Sequence, residues 1–443
     1  MTNDIEGQLL LLALLMVPAG TAQTTTFETL YNFKGKLDGG QPMAGVLLGT
    51  GGQVYGTTYF GGSSGDGTVF ELTPSTSTPW KISVIHEFSA ADGANCAGTL
   101  VFGKGGALYG ITTGGTLGTG GGNGELFELA PPSTAGGAWT ETFLWNSVNL
   151  GTPNGTLAVD KDGAIYVTTQ GIANYNGAQY GTIDSVTPPA TPGEAWTGQL
   201  IYNFQVVPPT TGLIPFAGVI FDGKSLFGTT YYGGYCDCGD VYELSPPSTP
   251  GGAWTGTAIH AFTGAPSDGG GSEAALTAGA GGVLYGTTFY GGSGSSSECS
   301  FSTGSGCGTV FQLTPPAVAG GTWTESVIYS FTGINGDGAY PVASVVVGKN
   351  GELYGTTQYG GSYTSGSPCE FSAVLGCGTV FELTPPTTAG GAWTETVLHS
   401  FSGLDGAGSM PVAGLALSST GALYGTTSVG GTYGEGTVFV VKP

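Results

Sequence analysis

At 443 residues, with 9% of them charged and 86 of them glycine, the chain suits many short strands joined by tight turns and gives helices little to work with. Its formal charge of −22 is offset by only 8 Lys plus Arg, so it repels phosphate backbones and anionic membrane surfaces, which excludes nucleic-acid binding. After residue 25 no window keeps apolar residues at helical spacing, and none approaches the ~18 consecutive apolar residues of a membrane helix.

The first element in the chain is an export signal. Residues 9–17 are an apolar run followed by Pro18-Ala19-Gly20-Thr21-Ala22, with small residues three before and one before a cut after Ala22. This predicts a cleaved signal peptide over residues 1–22 and an extracellular or cell-surface destination. The leading segment departs from the usual pattern, carrying Asp4 and Glu6 rather than Lys or Arg, which leaves a disordered or membrane-anchoring N-terminus as the alternative.

Residues 23–443 read as one domain made of repeats. A segment of the type Leu-Tyr-Gly-Thr-Thr places its aromatic at Tyr55, Tyr109, Tyr166, Phe227, Tyr285, Tyr354 and Tyr424, with spacings of 54, 57, 61, 58, 69 and 70 residues. Periods of this size with strand-like content point to propeller blades. The sixth copy shows four strands, at residues 341–347, 352–357, 379–384 and 394–401, rich in Val, Thr and aromatics and bounded by Gly or Pro. The third strand recurs seven times, from residues 67–72 to residues 436–441, and so does the fourth, from residues 28–33 to residues 395–401. The first fourth strand precedes every other element, and the last third strand has nothing after it. The chain is therefore expected to be an all-β, seven-bladed β-propeller of four-stranded antiparallel blades, closed by pairing the N-terminal strand with the C-terminal blade; closure hides strand edges that would otherwise invite aggregation. A Gly inside the second strand, at Gly56, Gly110, Gly228, Gly286, Gly355 and Gly425 with Val167 as the exception, marks a close approach, attributed here to packing between blades.

The phrases Leu-Tyr-Gly-Thr-Thr, Tyr-Gly-Gly, Gly-Thr-Val-Phe-Glu-Leu-Thr-Pro-Pro and Gly-Gly-Ala-Trp-Thr-Glu-Thr together resemble the GloVer-type (choice-of-anchor) tandem-repeat proteins over nearly all of residues 27–441. The resemblance implies an exported bacterial protein, often held at the surface by a C-terminal sorting signal, and brings no catalytic residues with it. This chain departs from the anchored pattern, because it stops at Val441-Lys442-Pro443.

Strand direction sorts the loops by face: those between the second and third strands share a face with those leading to the next blade. On that face lie Asp38, Asp92, Asp268, Asp337 and Asp405, which read as turn residues completed by a following Gly or as a rim of carboxylates for Ca²⁺ and binding. The same face carries the two longest insertions, residues 291–307 and 360–377. They hold Cys299 with Cys307 and Cys369 with Cys377, pairs read as local disulfides rather than zinc ligands, since no His is near them. Cys238 occupies the slot of Cys307 and Cys377 with Cys236 as its nearest partner, a bridge that would be strained and that the sequence leaves open, and Cys96 is left over as a buried thiol in the slot of Met43, Val342 and Val412. Trp80, Trp139, Trp196, Trp254, Trp323 and Trp393, each opening a fourth strand, read as covers for their own blades or as a stacking platform for glycans.

His86, His260 and His399 occupy a fourth-strand slot that is Tyr31, Trp145, Tyr202 and Tyr329 in other copies, so the slot is a packing position and no catalytic or metal-binding residue set is read from it. Glu71, Glu128, Glu243 and Glu382 repeat on the third strand and read as structural. The expected function is a binding or scaffold module for an extracellular glycan or protein, acting as a monomer without cofactor, with contacts on the face of the disulfide-stapled loops. The alternatives are a polysaccharide lyase or glycosidase working from the central depression and a structural envelope component.

Overall fold

A computed structural model describes residues 25–115, 124–134, 136–147, 152–171, 180–191, 193–205, 211–249, 251–294, 299–301, 304–318, 320–362, 369–371, 374–388, 390–404 and 406–443. The expected signal peptide and Asp405 lie outside the described residues.

Valine, threonine and aromatic runs of five to seven residues, cut by glycine turns, pair into seven four-stranded antiparallel sheets. The first blade joins Leu47–Leu48, Val54–Thr58, Thr68–Thr73 and Lys81–Glu87. The second to sixth blades span residues 101–146, 152–203, 220–261, 277–330 and 346–400. In the seventh, Ala416–Leu417, Leu423–Thr427 and Thr437–Lys442 are followed by Thr26–Asn32 from the other end of the chain, with Thr26 opposite Lys442 and Asn32 opposite Thr437. Among the described residues the only helical turns are Lys104–Gly106 and Ala280–Gly282, and no helix is long and apolar enough to cross a membrane. The innermost strand is shorter than expected: the sixth blade pairs only Val346–Val347. The preceding segment starts at Pro341, which has no N–H to donate, and runs toward the ring axis instead.

The Leu-Tyr-Gly-Thr-Thr motif has a physical reason at each position. Its glycine lies beneath an aromatic ring of the third strand in the same blade: a Cβ on Gly56 would stand 2.5 Å from Phe70 Cζ, and Gly355 and Gly425 meet Phe381 and Phe439 in the same way. The close approach is thus within a blade, and not between blades as the sequence suggested. In four blades the first Thr donates its hydroxyl to the next blade's inner segment, Thr229 to the Ala274 carbonyl at 2.9 Å, Thr287 to Ala343 at 3.1 Å, Thr356 to Ala413 at 3.0 Å and Thr426 to Ala44 at 2.9 Å, whereas the Thr57 and Thr168 hydroxyls are buried without a partner among the described residues. The second Thr joins its own third strand, as Thr58 does with Thr68 at 2.8 Å.

The motif aromatic accounts for the tryptophans. Trp139 packs edge-on against Tyr55 of the preceding blade at 6.2 Å between centroids, and Trp196 on Tyr109, Trp254 on Tyr166, Trp323 on Phe227, Trp393 on Tyr285 and Trp80 on Tyr424 follow at 5.8–6.5 Å. Each tryptophan therefore clasps a neighbouring blade, while the clusters around Trp393 and Trp254 also draw on their own blades. A half-buried ring held edge-on between blades is poorly placed as an open stacking platform.

The core follows the same logic. Seven apolar clusters each draw on two adjacent blades, so that stability resides in the seams. The seam between the seventh and first blades holds Leu30, Tyr31 and Phe33 from the N-terminal strand against Phe70 and Leu72.

Candidate functional site

Blade-connecting loops hydrogen-bond to the second-to-third-strand loop of the blade they enter: Gly40 pairs with Phe60, Leu213 with Tyr232, Gly270 with Tyr290 and Ser409 with Val429. Both loop sets therefore share one face, here called the upper face. Beneath it the seven inner segments converge on the axis.

Strand register identifies equivalent positions on those segments, since Leu47, Val101, Ala158, Ile220, Thr277, Val346 and Ala416 each pair with a motif aromatic. Three residues before each stands Ala or Gly, because the segments crowd together there: a Cβ on Gly155 would lie 2.7 Å from the Ala217 carbonyl carbon. Four residues before, the repeat loses its uniformity and reads Met43, Ala97, Asn154, Phe216, Glu273, Val342 and Val412. These residues line an axial cavity of about 400 Å³, joined by Thr99, Thr156, Ser344 and Gln358. Glu273 is its one carboxylate, and burial pushes that carboxyl up to about 7. A carboxyl held near neutrality in a mostly apolar hollow accepts or donates hydrogen bonds according to its occupant. Glu273 was missed in the sequence because a single acid in a glycine-rich chain carries no signal until the register is known.

The four described aspartates, Asp38, Asp92, Asp268 and Asp337, do not gather. Each lies against the fourth strand of its own blade and closes the turn that follows it. Asp268 accepts the Thr263 N–H at 2.8 Å and the Gly269 N–H at 2.6 Å, and Asp337 accepts the Thr332 N–H and the Gly338 N–H, both at 2.7 Å. Asp92 accepts the Ser89 N–H at 2.7 Å, and Asp38 takes the Tyr31 hydroxyl at 2.8 Å. Apart from the Tyr31 hydroxyl, which reaches Asp38 from the strand, these bonds belong to turn geometry.

The histidine slot is a meeting point between blades. His86 Nε2 stands 3.4 Å from Asp92, and His260 Nε2 stands 3.2 Å from Asp268. His399 instead stacks on Phe27 of the next blade with centroids 3.6 Å apart, and its burial pushes the imidazole down to about 4. Burial would raise the Asp268 carboxyl, but hydrogen bonds from His260, Thr263 and Gly269 outweigh it and hold it below the usual range. Facing Trp145 and Tyr202 the neighbouring strand carries glycine: a Cβ on Gly198 would meet Trp145, and one on Gly256 would meet the Tyr202 hydroxyl at 2.5 Å.

Cys299 is bonded to Cys307 and Cys369 to Cys377, with Cα atoms 5.1 and 5.0 Å apart, and Cys236 is bonded to Cys238. The stapled ends touch the neighbouring loops, since the Cys307 carbonyl accepts the Tyr340 N–H and the Cys377 carbonyl the Met410 N–H, both at 2.8 Å. Cys96 is a buried free thiol raised by desolvation. Its register corrects the sequence reading: Val101 pairs with Tyr109 as Leu47 does with Tyr55, which aligns Ala97 with Met43 and Cys96 with Pro42.

No curated protein matches the sequence. Among solved structures, an ancestral GH74 enzyme is similar, with 13% identity over 91% of this chain and 48% of that chain and a TM-score of 0.54. A gluconolactonase from Xanthomonas campestris has 12% identity over 54% of this chain and 67% of that chain, with a TM-score of 0.31. A glucose dehydrogenase has 11% identity over 75% and 96%, with a TM-score of 0.43. The chain spans about half the length of the GH74 chain, and that likeness shows the fold. Residues 19–205 match the family model of the Gloeobacter/Verrucomicrobia repeat, so the likeness to GloVer-type proteins read from the motifs stands over that stretch.

Proposed function

We propose that the chain is an exported binding propeller whose upper face admits a small ligand bearing hydrogen-bond donors, hydroxyl or amine, to the axial cavity. The observation that carries this reading is Glu273: a lone carboxylate among the described residues that line an axial hollow of about 400 Å³. Cavities of roughly 300–1,000 Å³ lined by apolar groups with a few convergent polar ones are where small molecules bind. Three disulfides support an oxidising compartment. The acidic charge of −22 favours neutral or cationic ligands over anionic ones. Glycoside hydrolysis requires two carboxyl groups flanking the bond, and Glu273 is the only one among the described residues lining the cavity, so binding fits it better than turnover.

The test is a thermal-shift and calorimetric screen of the purified chain against sugars, polyols and small amines, with soluble polysaccharides assayed for new reducing ends. A ligand should saturate at one site and lose at least tenfold in affinity in Glu273→Ala and in Ala343→Trp, which fills the cavity. Ligands indifferent to both substitutions, or turnover of a polysaccharide, would sink the proposal.

A further inference from the structure

Packing of the fourth blade on the fifth brings His260, Asp268 and Glu325 together from three separate elements. His260 lies on Thr255–Ala261, Asp268 on the loop that follows, and Glu325 on Thr324–Ser330 of the next blade. We infer that these three side chains form a site for one divalent transition cation, with zinc the preferred occupant. It is separate from the axial cavity and does not depend on the reading given to that cavity.

Three observations converge on it. One ligand atom from each residue lies within 4.8 Å of the others, the only such group among the described residues. His260 Nε2 and Asp268 Oδ2 stand 3.2 Å apart, close to the ~3.3 Å edge of a tetrahedron whose centre is about 2.0 Å from each ligand. Glu325 Oε1 is sealed from solvent and has no hydrogen-bond partner, an arrangement that is costly for a carboxyl oxygen unless a proton or a cation meets it. Imidazole with two carboxylates is the donor set of zinc and its neighbours rather than of calcium, which takes oxygen ligands alone in larger number. The N–H groups of Thr263 and Gly269, bonded to Asp268, already hold that carboxylate in place.

The repeat supplies its own controls. In the blade five to six seam the His position is Tyr329, beside Asp337 and Glu395, and Glu395 Oε1 is likewise without a partner. A sealed acid therefore occurs without imidazole, and the histidine is what distinguishes the proposed site. In the blade one to two seam His86 and Asp92 recur, but Glu141 is not drawn within the same distance.

The experiment titrates the full chain, first stripped with chelator, with Zn²⁺ alone, and records the visible spectrum with Co²⁺. One equivalent of Zn²⁺ should bind and raise the melting temperature, and Co²⁺ should give the intense bands of a four-coordinate centre. His260→Ala and Glu325→Gln should each weaken binding at least tenfold and abolish those bands, whereas His86→Ala and Glu395→Gln should leave both unchanged. Should His260→Ala fail to fold, the isosteric Glu325→Gln still decides. Absence of saturable binding, preference for Ca²⁺, or binding that survives Glu325→Gln would overturn the assignment in favour of a proton held between the two acids.

Discussion

At the scale of single residues the repeat compensates for its own exceptions. In six blades a glycine of the second strand lies under a third-strand ring, and in the third blade Val167 stands opposite Asp184, which has no ring. The fourth strand before that seam ends in Ser147 where the others end in Phe, as with Phe88, which meets Phe127 at 5.1 Å. Asp184 is buried beside the Thr182 hydroxyl at 2.7 Å, and desolvation raises its carboxyl to about 6. Volume lost with the ring is partly regained by the valine. Asp184→Phe alone should then overpack against Val167 and cost about 1–3 kcal/mol, and Val167→Gly alone should cost a similar amount through lost packing and backbone entropy. Together they should restore the arrangement of the other blades, giving a favourable coupling of at least ~1 kcal/mol in denaturant titrations. Simple additivity of the two changes would show that the residues do not compensate for one another.

At the scale of elements, the stapled loops join blades although their disulfides are local. Cys299 and Cys307 sit in the apolar cluster with Phe331, Tyr340 and Phe381, and the Cys307 carbonyl fixes Tyr340 of the loop to the sixth blade. Cys299→Ser should therefore cost the ~2–3 kcal/mol of loop closure and also speed amide exchange across residues 331–345, while the second blade is unaffected. Exchange altered only within residues 299–307 would mean that the staple serves its own loop. The limit of what the sequence reveals lies at the same boundary. Strand content, turn glycines and the order of strands recur once per copy and were legible from spacing alone. Trp139 on Tyr55, Thr356 on Ala413 and Glu325 beside His260 link different positions in adjacent copies, so periodicity cannot pair them. Cys96 was placed one residue out because Ala97 reads as the counterpart of Ala44, a place that pairing gives to Gly98, and only hydrogen-bond register corrects such a slip.

At the scale of the whole molecule, seven seams made from few charges leave several acids buried, and this sets the response to pH. Desolvation raises the carboxyls of Glu141, Glu273, Glu395 and Asp240 to about 7; Asp92 and Glu125 add to the effect at Glu141, Asp337 adds to it at Glu395, and the Thr230 and Gly212 hydrogen bonds oppose it at Asp240. A carboxyl that binds its proton more tightly when folded contributes stability fully below its unfolded value, and loses that contribution as pH rises through about 4.5 to 7. His399 acts in the opposite sense: its folded value of about 4 lies below the unfolded one, so its contribution is lost as pH falls from about 6.5 toward 4. Asp268, held low, likewise loses its contribution only in acid. These four raised carboxyls, with Asp184 raised to about 6, outweigh the depressed imidazoles of His86 and His399 and should make the chain more stable at pH 5 than at pH 8, the reverse of the usual acid denaturation of a protein rich in paired carboxylates. Calorimetric melting at constant ionic strength should show the melting temperature falling from pH 5 to pH 8, with a second fall below about pH 4 as Asp268 takes its proton. Glu395→Gln should flatten the fall toward pH 8, and His399→Phe, which keeps the ring stacked on Phe27, should steepen it between about pH 5 and 6.5, where the imidazole opposes it. A melting temperature that is level or higher at pH 8 would mean that the seams admit enough water to ionise these acids without penalty, and the dry-seam account of the ring would fail with it.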